Sequence, residues 1–303
     1  MKIKIILFFI SISFARAQSK CFIIFDKTNN SAIPYATIYQ REVYYGFFAD
    51  ENGRFCLDNF EDSIEITALG YERKIINKNT LNKLDTIFLN IKAVELNELT
   101  VSIKRKKHKT KTLGFYHRDP LKILSSGFTP NSSFKVATFI QNSIDDEALI
   151  KKVFCDLIPK ENEHVKTFRI RLRIFSNLNN LPNEDILIEN TIQNVEVNKK
   201  KIEFDISNIG IILPKDGIWV SLECIGYTNN QNKFILIGDK QFGKYTLKDS
   251  KKFKVKSIER ISPCFKTIND KVGNSADSNW SGNWKHIKYN PKLTFCIGVM
   301  VEY

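Results

Sequence analysis

Apolar and polar residues alternate along Ile33 to Glu72 in three runs, IPYATIYQ, YYGFFADENGRFCL and SIEITALGYE, each set off by turn-forming residues. A period of two is the signature of a half-buried strand. It predicts Ile33, Tyr35, Thr37 and Tyr39 on one face and Pro34, Ala36 and Ile38 on the other, with Pro34 at a strand's first position, where no ladder N–H is needed. The Asn52-Gly53 pair supplies a tight turn between two aromatic runs, and Gly70 reads as a bend or bulge.

The same pattern returns beyond Phe115. Strands are predicted over FKVATFIQ (Phe134 to Gln141), LIKKVFCDLI (Leu149 to Ile158), KTFRIRLRIF (Lys166 to Phe175), KIEFDI (Lys201 to Ile206), IWVSLECIG (Ile218 to Gly226), KFILIG (Lys233 to Gly238) and KLTFCIGVMVEY (Lys292 to Tyr303). Asn, Pro and Gly fill the breaks between them, and no stretch carries a helical apolar face of useful length. The predicted fold is therefore all-β: a β-sandwich over 18–102 and a larger, jelly-roll-like β-sandwich over 115–303. Between them IKRKKHKTKTLG (103–114) has no apolar period and a run of like charge, the pattern of an exposed linker or of a contact with anionic lipid or polysaccharide.

Several N-terminal elements occur in a particular order: CFIIFD (Cys21 to Asp26), IPYATI, an element ending D-E-N-G-R-F, LGYE, and DTIFL (Asp85 to Leu89). In that order they resemble the carboxypeptidase regulatory-like domain, a transthyretin-like antiparallel sandwich of exported bacterial proteins. The following AVELNELTVS (Ala93 to Ser102) resembles the segment after this domain in TonB-dependent outer-membrane receptors of Gram-negative bacteria. The plug and barrel of a receptor do not fit in the residues that follow, and the resemblance implies no peptidase activity. FRIRLRIF, LPNEDILIENT and LPKDGIWVSLE resemble the C-terminal half of uncharacterised exported proteins that carry the same domain.

Met1 to Ala17 reads as a secretory signal peptide, with Lys2 and Lys4 ahead of the apolar run IILFFISISF and an Ala15-Arg16-Ala17 cleavage pattern. That run is too short for a permanent bilayer helix, so no integral membrane span is expected after cleavage. The formal charge of +13 suggests nucleic acid until it is located. Lys2, Lys4 and Arg16 leave with the leader, and six further cations between Lys104 and Lys111 sit in the linker, which leaves +4. A phosphate-tracking surface is not indicated, and no nucleic-acid partner is expected. The six cysteines lack metal-ligand spacing, so no metal is expected. They are either disulfide-bonded, with Cys21–Cys56 and Cys264–Cys296 the favoured pairs, or small buried apolar residues.

Alternation in FRIRLRIF turns Phe168, Ile170, Leu172 and Ile174 inward and sets Arg169, Arg171 and Arg173 as an exposed row about 7 Å apart. In IWVSLEC the same reading leaves Trp219, Ser221 and Glu223 outward. An indole beside guanidinium and carboxylate groups suits a sugar, although Glu203 and Asp205 of a neighbouring strand could instead neutralise the arginines. DSNWSGNWKHIKYNP (Asp277 to Pro291) is expected to be an extended loop whose Trp280 and Trp284 either rim a ligand site or fold back as a plug. The four histidines have no metal or nucleophile spacing, there is no G-x-S-x-G or glycine-rich phosphate loop, and no catalytic residue or cofactor is indicated. The sequence thus describes an exported, non-catalytic binding or assembly module of a Gram-negative cell envelope, periplasmic, outer-membrane associated or secreted, whose partner is a surface glycan or an envelope protein. The alternative is a glycan-active hydrolase with an acid pair drawn from separate strands of the C-terminal sandwich.

Overall fold

The computed structural model describes residues 20–40, 45–57, 63–92, 109–115, 124–127, 135–145, 147–159, 165–237, 264–269, 274–278, 280–287 and 292–303. The signal-peptide stretch and the cationic half of the expected linker lie outside them. Among the described residues there are twenty-two strands and one four-residue helix, so the protein is all-β. No helix among them is long and apolar enough to cross a membrane.

Seven strands make the N-terminal sandwich. Arg54–Leu57, Lys20–Asp26 and Thr86–Leu89 form one sheet, and Tyr45–Phe48, Thr37–Gln40, Ser63–Thr67 and Lys74–Asn77 form the other. Phe22, Ile24, Ile38, Ile64, Ile66 and Ile87 fill the space between them. Cys21 and Cys56 face each other across an antiparallel pair and are bonded, as favoured from the sequence. The expected turn after Phe48 is built by the Asp50 carboxylate, which accepts the N–H groups of Asn52 and Arg54, and by Gly53 at φ 70°. It carries the chain from one sheet to the other, so the two aromatic runs are not hairpin partners.

Tyr35 departs from the predicted alternation. It has φ 55°, a left-handed conformation rare for a residue with a bulky side chain. The strand consequently begins at Thr37 rather than Pro34, and Ile33 joins Ala36 and Ile38 in the N-terminal core while Tyr35 and Tyr39 pack elsewhere.

The C-terminal part is a second two-sheet stack. Its first sheet runs Leu181–Asp185, Val165–Leu178, Ile218–Asn229, Lys135–Ile140, Ser275–Ser278 and Trp284–His286, with Thr191–Glu196 and Phe234–Leu236 also attached. Its second runs Leu293–Phe295, Cys264–Asn269, Leu149–Ile158, Ile297–Glu302 and Thr110–Gly114, with Lys201–Asp205 and Leu124–Gly127 attached. Phe168, Ile170, Leu172, Ile174, Val220 and Leu222 point into the core from the first sheet, as alternation predicted, and meet Ile150, Val153, Val299 and Val301.

Three expectations change. Thr110–Gly114, read as linker, is a strand paired with Ile297–Glu302. Leu113 is its buried anchor, and Lys111 on a sheet edge blunts pairing with other chains. Ser275–Ser278 and Trp284–His286 make a hairpin in place of an extended loop. Cys296 is a free, buried thiol, so the Cys264–Cys296 bridge is not formed.

Candidate functional site

Glu223 is the centre of the site. It lies on the inner strand Ile218–Asn229, whose residues from Ile218 to Tyr227 are all buried, on the face turned away from the C-terminal core. Arg171 stands opposite it on one neighbouring strand. On the other neighbour, the register that pairs Val136 with Leu222 sets Lys135 beside it. Arg171 donates Nε to Glu223 Oε2 at 2.8 Å, with Nη2 at 2.7 Å. Lys135 Nζ lies 3.1 Å from Oε1 and Arg173 Nη1 3.5 Å from the same oxygen. Arg173 also makes a two-pronged contact with Asp185.

The arginine row is therefore not an exposed surface. Arg171 is 2% exposed, Glu223 2% and Trp219 1%. Alternation correctly put these residues on the far face of the sheet, but the N-terminal sandwich covers that face at the arginines, and Phe139, Phe175 and Ala276 cover it at Trp219. The Tyr35 carbonyl, presented by the left-handed backbone, accepts from Arg171 Nη1 at 3.0 Å. Arg169 donates to the Tyr35 hydroxyl and stacks over Phe234 at 4.1 Å, while Arg171 lies over Phe48 at 5.2 Å. Asn190 accepts from Arg171 at 3.2 Å and donates to the Pro34 carbonyl at 3.5 Å. Neutralisation comes from Glu51 at Arg169 and from Glu223 and Asp185 at the other two, not from Glu203 and Asp205. The strand carrying those two belongs to the other sheet, and Glu203 pairs with Lys152 at 2.6 Å.

The tryptophans are structural in their surroundings. Trp219 packs with Phe139, Phe175 and Ala276, and its Nε1 donates to Asn177 at 3.0 Å. Trp280 is buried edge-on against Phe48 at the seam, over the flat space left by Gly46, where a Cβ would come 2.5 Å from the indole. Trp284, half-buried, meets Phe175 edge-on. Neither Trp219 nor Trp280 offers an open face for stacking a sugar.

Burial alone would raise the pKa of Glu223, but Lys135, Arg171 and Arg173 together hold it well below the usual carboxylate range. Burial lowers Lys135, against the pull of Glu223, and it lowers Arg171 as well. Arg173 is raised, because Asp185 and Glu223 outweigh its burial.

Beside this cluster the two sandwiches leave a cavity of about 650 Å³. Thr37, Thr67, Gly70, Tyr71, Arg73 and Lys92 wall it from the N-terminal side, and Arg171, Arg173, Asn183, Glu184, Asp185 and Ile188 from the other. The walls approach closely at Gly70, where φ is 81° and a Cβ would come 2.6 Å from the Ile188 carbonyl oxygen. Lys92 and Glu184 pair across the seam at 3.3 Å, and Arg73 pairs with the buried Glu65. Tyr71 donates its hydroxyl to Asp26 at 3.0 Å, and burial together with that carboxylate pushes it up to about 12.

Of the cavity wall, sequence reasoning found Arg171 and Arg173. It missed Arg73, Lys92, Asn183, Glu184 and Asp185, and it missed Lys135 and Tyr35 behind and beside them. Lys135 carried a signal, as a lone cation opening the otherwise apolar strand KVATFI. Among the described residues no group of His, Cys, Asp and Glu could hold a metal ion.

Stacked sheets, antiparallel except where Lys20–Asp26 and Thr86–Leu89 pair in parallel, with a polar cavity at their seam define a two-sandwich all-β protein. No family model and no curated protein matches the chain. Among solved structures it is similar to the cysteine protease and lectin-like domains of Cwp84, a surface-layer-associated protein of Clostridium difficile. That match has 13% identity and a TM-score of 0.38, over 64% of this chain and 36% of that one. A propeptide-cleaved form of the clostridial protease Cwp84 matches at 12% identity and a TM-score of 0.38, over 92% of this chain and 61% of that one. The chain thus spans about a third and three fifths of those two chains.

Proposed function

We propose that the protein is an exported, non-catalytic binding module of the cell envelope and that its ligand, a glycan, occupies the seam cavity. The observation that carries this reading is the cavity itself. Its volume is in the range of ligand pockets, and its wall mixes donors and acceptors: Thr37 and Thr67 hydroxyls, the Asn183 amide, guanidinium groups and carboxylates. A polyhydroxylated ligand needs both kinds of partner. Export is supported by the Cys21–Cys56 disulfide, a bond that persists in oxidising compartments. The N-terminal seven-strand sandwich supports its assignment as a carboxypeptidase regulatory-like domain.

The electrostatics favour binding over hydrolysis. A glycosidase acid pair needs one carboxyl kept protonated near neutral pH. Here the three cations drive buried Glu223 the other way, and Arg173 grips Asp185 with two prongs.

The test is a glycan array with the mature full-length chain beside Asn183→Trp, which places a bulky ring at an exposed wall position. Binding that falls at least tenfold in the variant supports the reading. An array that stays blank, or binding that ignores the variant, sinks it.

A further inference from the structure

We infer that the seam cavity selects an uncharged sugar, held by the hydroxyls of Thr37 and Thr67 on one wall and the Asn183 amide on the other. This rests on the binding reading above and adds the charge class of the ligand. Thr37 and Thr67 stand directly opposite each other on the paired strands Thr37–Gln40 and Ser63–Thr67. Thr37 shares its side of the strand with Tyr39, which belongs to the C-terminal core cluster, so this face looks onto the seam. Cross-strand threonines commonly bond each other. Here neither hydroxyl has a hydrogen-bond partner among the described residues, although Thr37 is only 3% exposed. A buried hydroxyl without a partner costs free energy, and a ligand hydroxyl that reaches it recovers that cost. Across the cavity, the Asn183 side-chain amide is also unbonded among the described residues. The Tyr71 hydroxyl donates to Asp26 and keeps a lone pair that can accept. A sugar hydroxyl both donates and accepts, which is what hydroxyl and amide partners require.

The charged groups of the wall are closed to a charged ligand. Each has a partner of its own: Arg73 meets Glu65, Lys92 meets Glu184, Arg171 meets Glu223, and Arg173 meets Asp185 in a two-pronged grip. Lys135, the third cation at Glu223, is not among the residues that line the cavity. An anionic sugar would have to displace one of these carboxylates, and a cationic one would have to displace a guanidinium or an ammonium. Either exchange gives up an existing pair for a new one and still withdraws the ligand's charge from water. An uncharged sugar leaves the pairs in place and bonds the groups that have no partner.

The first readout is the array, scored by charge: hits confined to uncharged glycans support the inference, and strongest hits that carry carboxylate, sulfate or amine groups overturn it. The second is calorimetric titration of the full-length chain with the strongest hit and two derivatives of it, one with a terminal hydroxymethyl group oxidised to carboxylate, the other with that group replaced by aminomethyl. The parent is expected to bind at least about tenfold tighter than either derivative. Thr37→Val keeps the branched shape and removes the hydroxyl. It is expected to weaken the parent about threefold to tenfold and to leave the melting temperature of the free protein unchanged, because no internal bond is lost. Glu184→Gln leaves Lys92 unpaired at the rim and is expected to narrow the gap for the carboxylate derivative by about threefold. Equal or tighter binding of a charged derivative, still blocked by Asn183→Trp, overturns the charge inference and keeps the binding module. Full affinity in Thr37→Val, or a lower melting temperature, overturns the assignment of its hydroxyl to the ligand. A blank array removes both readings.

Discussion

Replacing Glu223 with Gln keeps the volume of the side chain and removes only its charge. The two Glu223 oxygens receive Arg171 at 2.7 and 2.8 Å, Lys135 at 3.1 Å and Arg173 at 3.5 Å. Breaking a buried ion pair by removing one partner costs about 3–5 kcal/mol, because the survivor stays buried and uncompensated. Three survivors share this loss, and Arg173 keeps Asp185, so about 4 kcal/mol is expected in total. Urea unfolding followed by circular dichroism reads this directly. With a slope of about 3 kcal/mol/M for a chain of this length, the midpoint should fall by about 1–1.5 M. Adding Lys135→Met should return about half of the loss, since it takes away one stranded cation.

The pH profile gives the same prediction a second handle. Glu223 is depressed in the folded state relative to an unfolded glutamate at about 4.3. Its contribution is therefore complete above that value and disappears as pH falls through the lower folded one. The stability gap between wild type and Glu223→Gln should be flat from about pH 7 to 5 and close in stronger acid. A midpoint shift below about 0.3 M, or a gap that widens in acid, would refute the claim that this carboxylate anchors the seam.

Two further outcomes follow from burial and covalent closure. Trp219→Ala should cost about 3–5 kcal/mol of unfolding free energy, because the ring is 1% exposed, and cavity-forming losses of that size are visible in thermal melts; an unchanged melting temperature would return the indole to the surface. Replacing Cys21 and Cys56 by Ser should cost about 3–4 kcal/mol, from the entropy of closing a loop with a sequence separation of 35, and a melt identical to wild type under oxidising conditions would contradict the bond.

The inward face of FRIRLRIF was legible because a period of two is a local property. Phe168 to Ile174 alternate with the arginines, and the structure keeps that alternation. What covers the arginines was not legible, because the covering atoms come from far along the chain. The Tyr35 carbonyl and Arg171 are 136 residues apart, and their meeting depends on a left-handed tyrosine that no turn motif announced. A strand buried on both faces reads like one buried on a single face whenever its second face is filled with paired charges. Glu223 was thus placed on the correct side of its sheet and assigned the wrong neighbour, solvent in place of Lys135. Thr110–Gly114 escaped for another reason: an edge strand that blunts itself with lysine has the composition of a linker.

The cavity has one wall from each sandwich, so its occupancy and the grip between the two halves are thermodynamically reciprocal. Any ligand held between Arg73 and Arg173 adds its own binding energy to the work of prying the halves apart, by RT ln(1 + [L]/Kd). The fit of the two bodies is then a reporter: whatever wedges them open weakens the ligand by the same factor that the ligand resists the wedge.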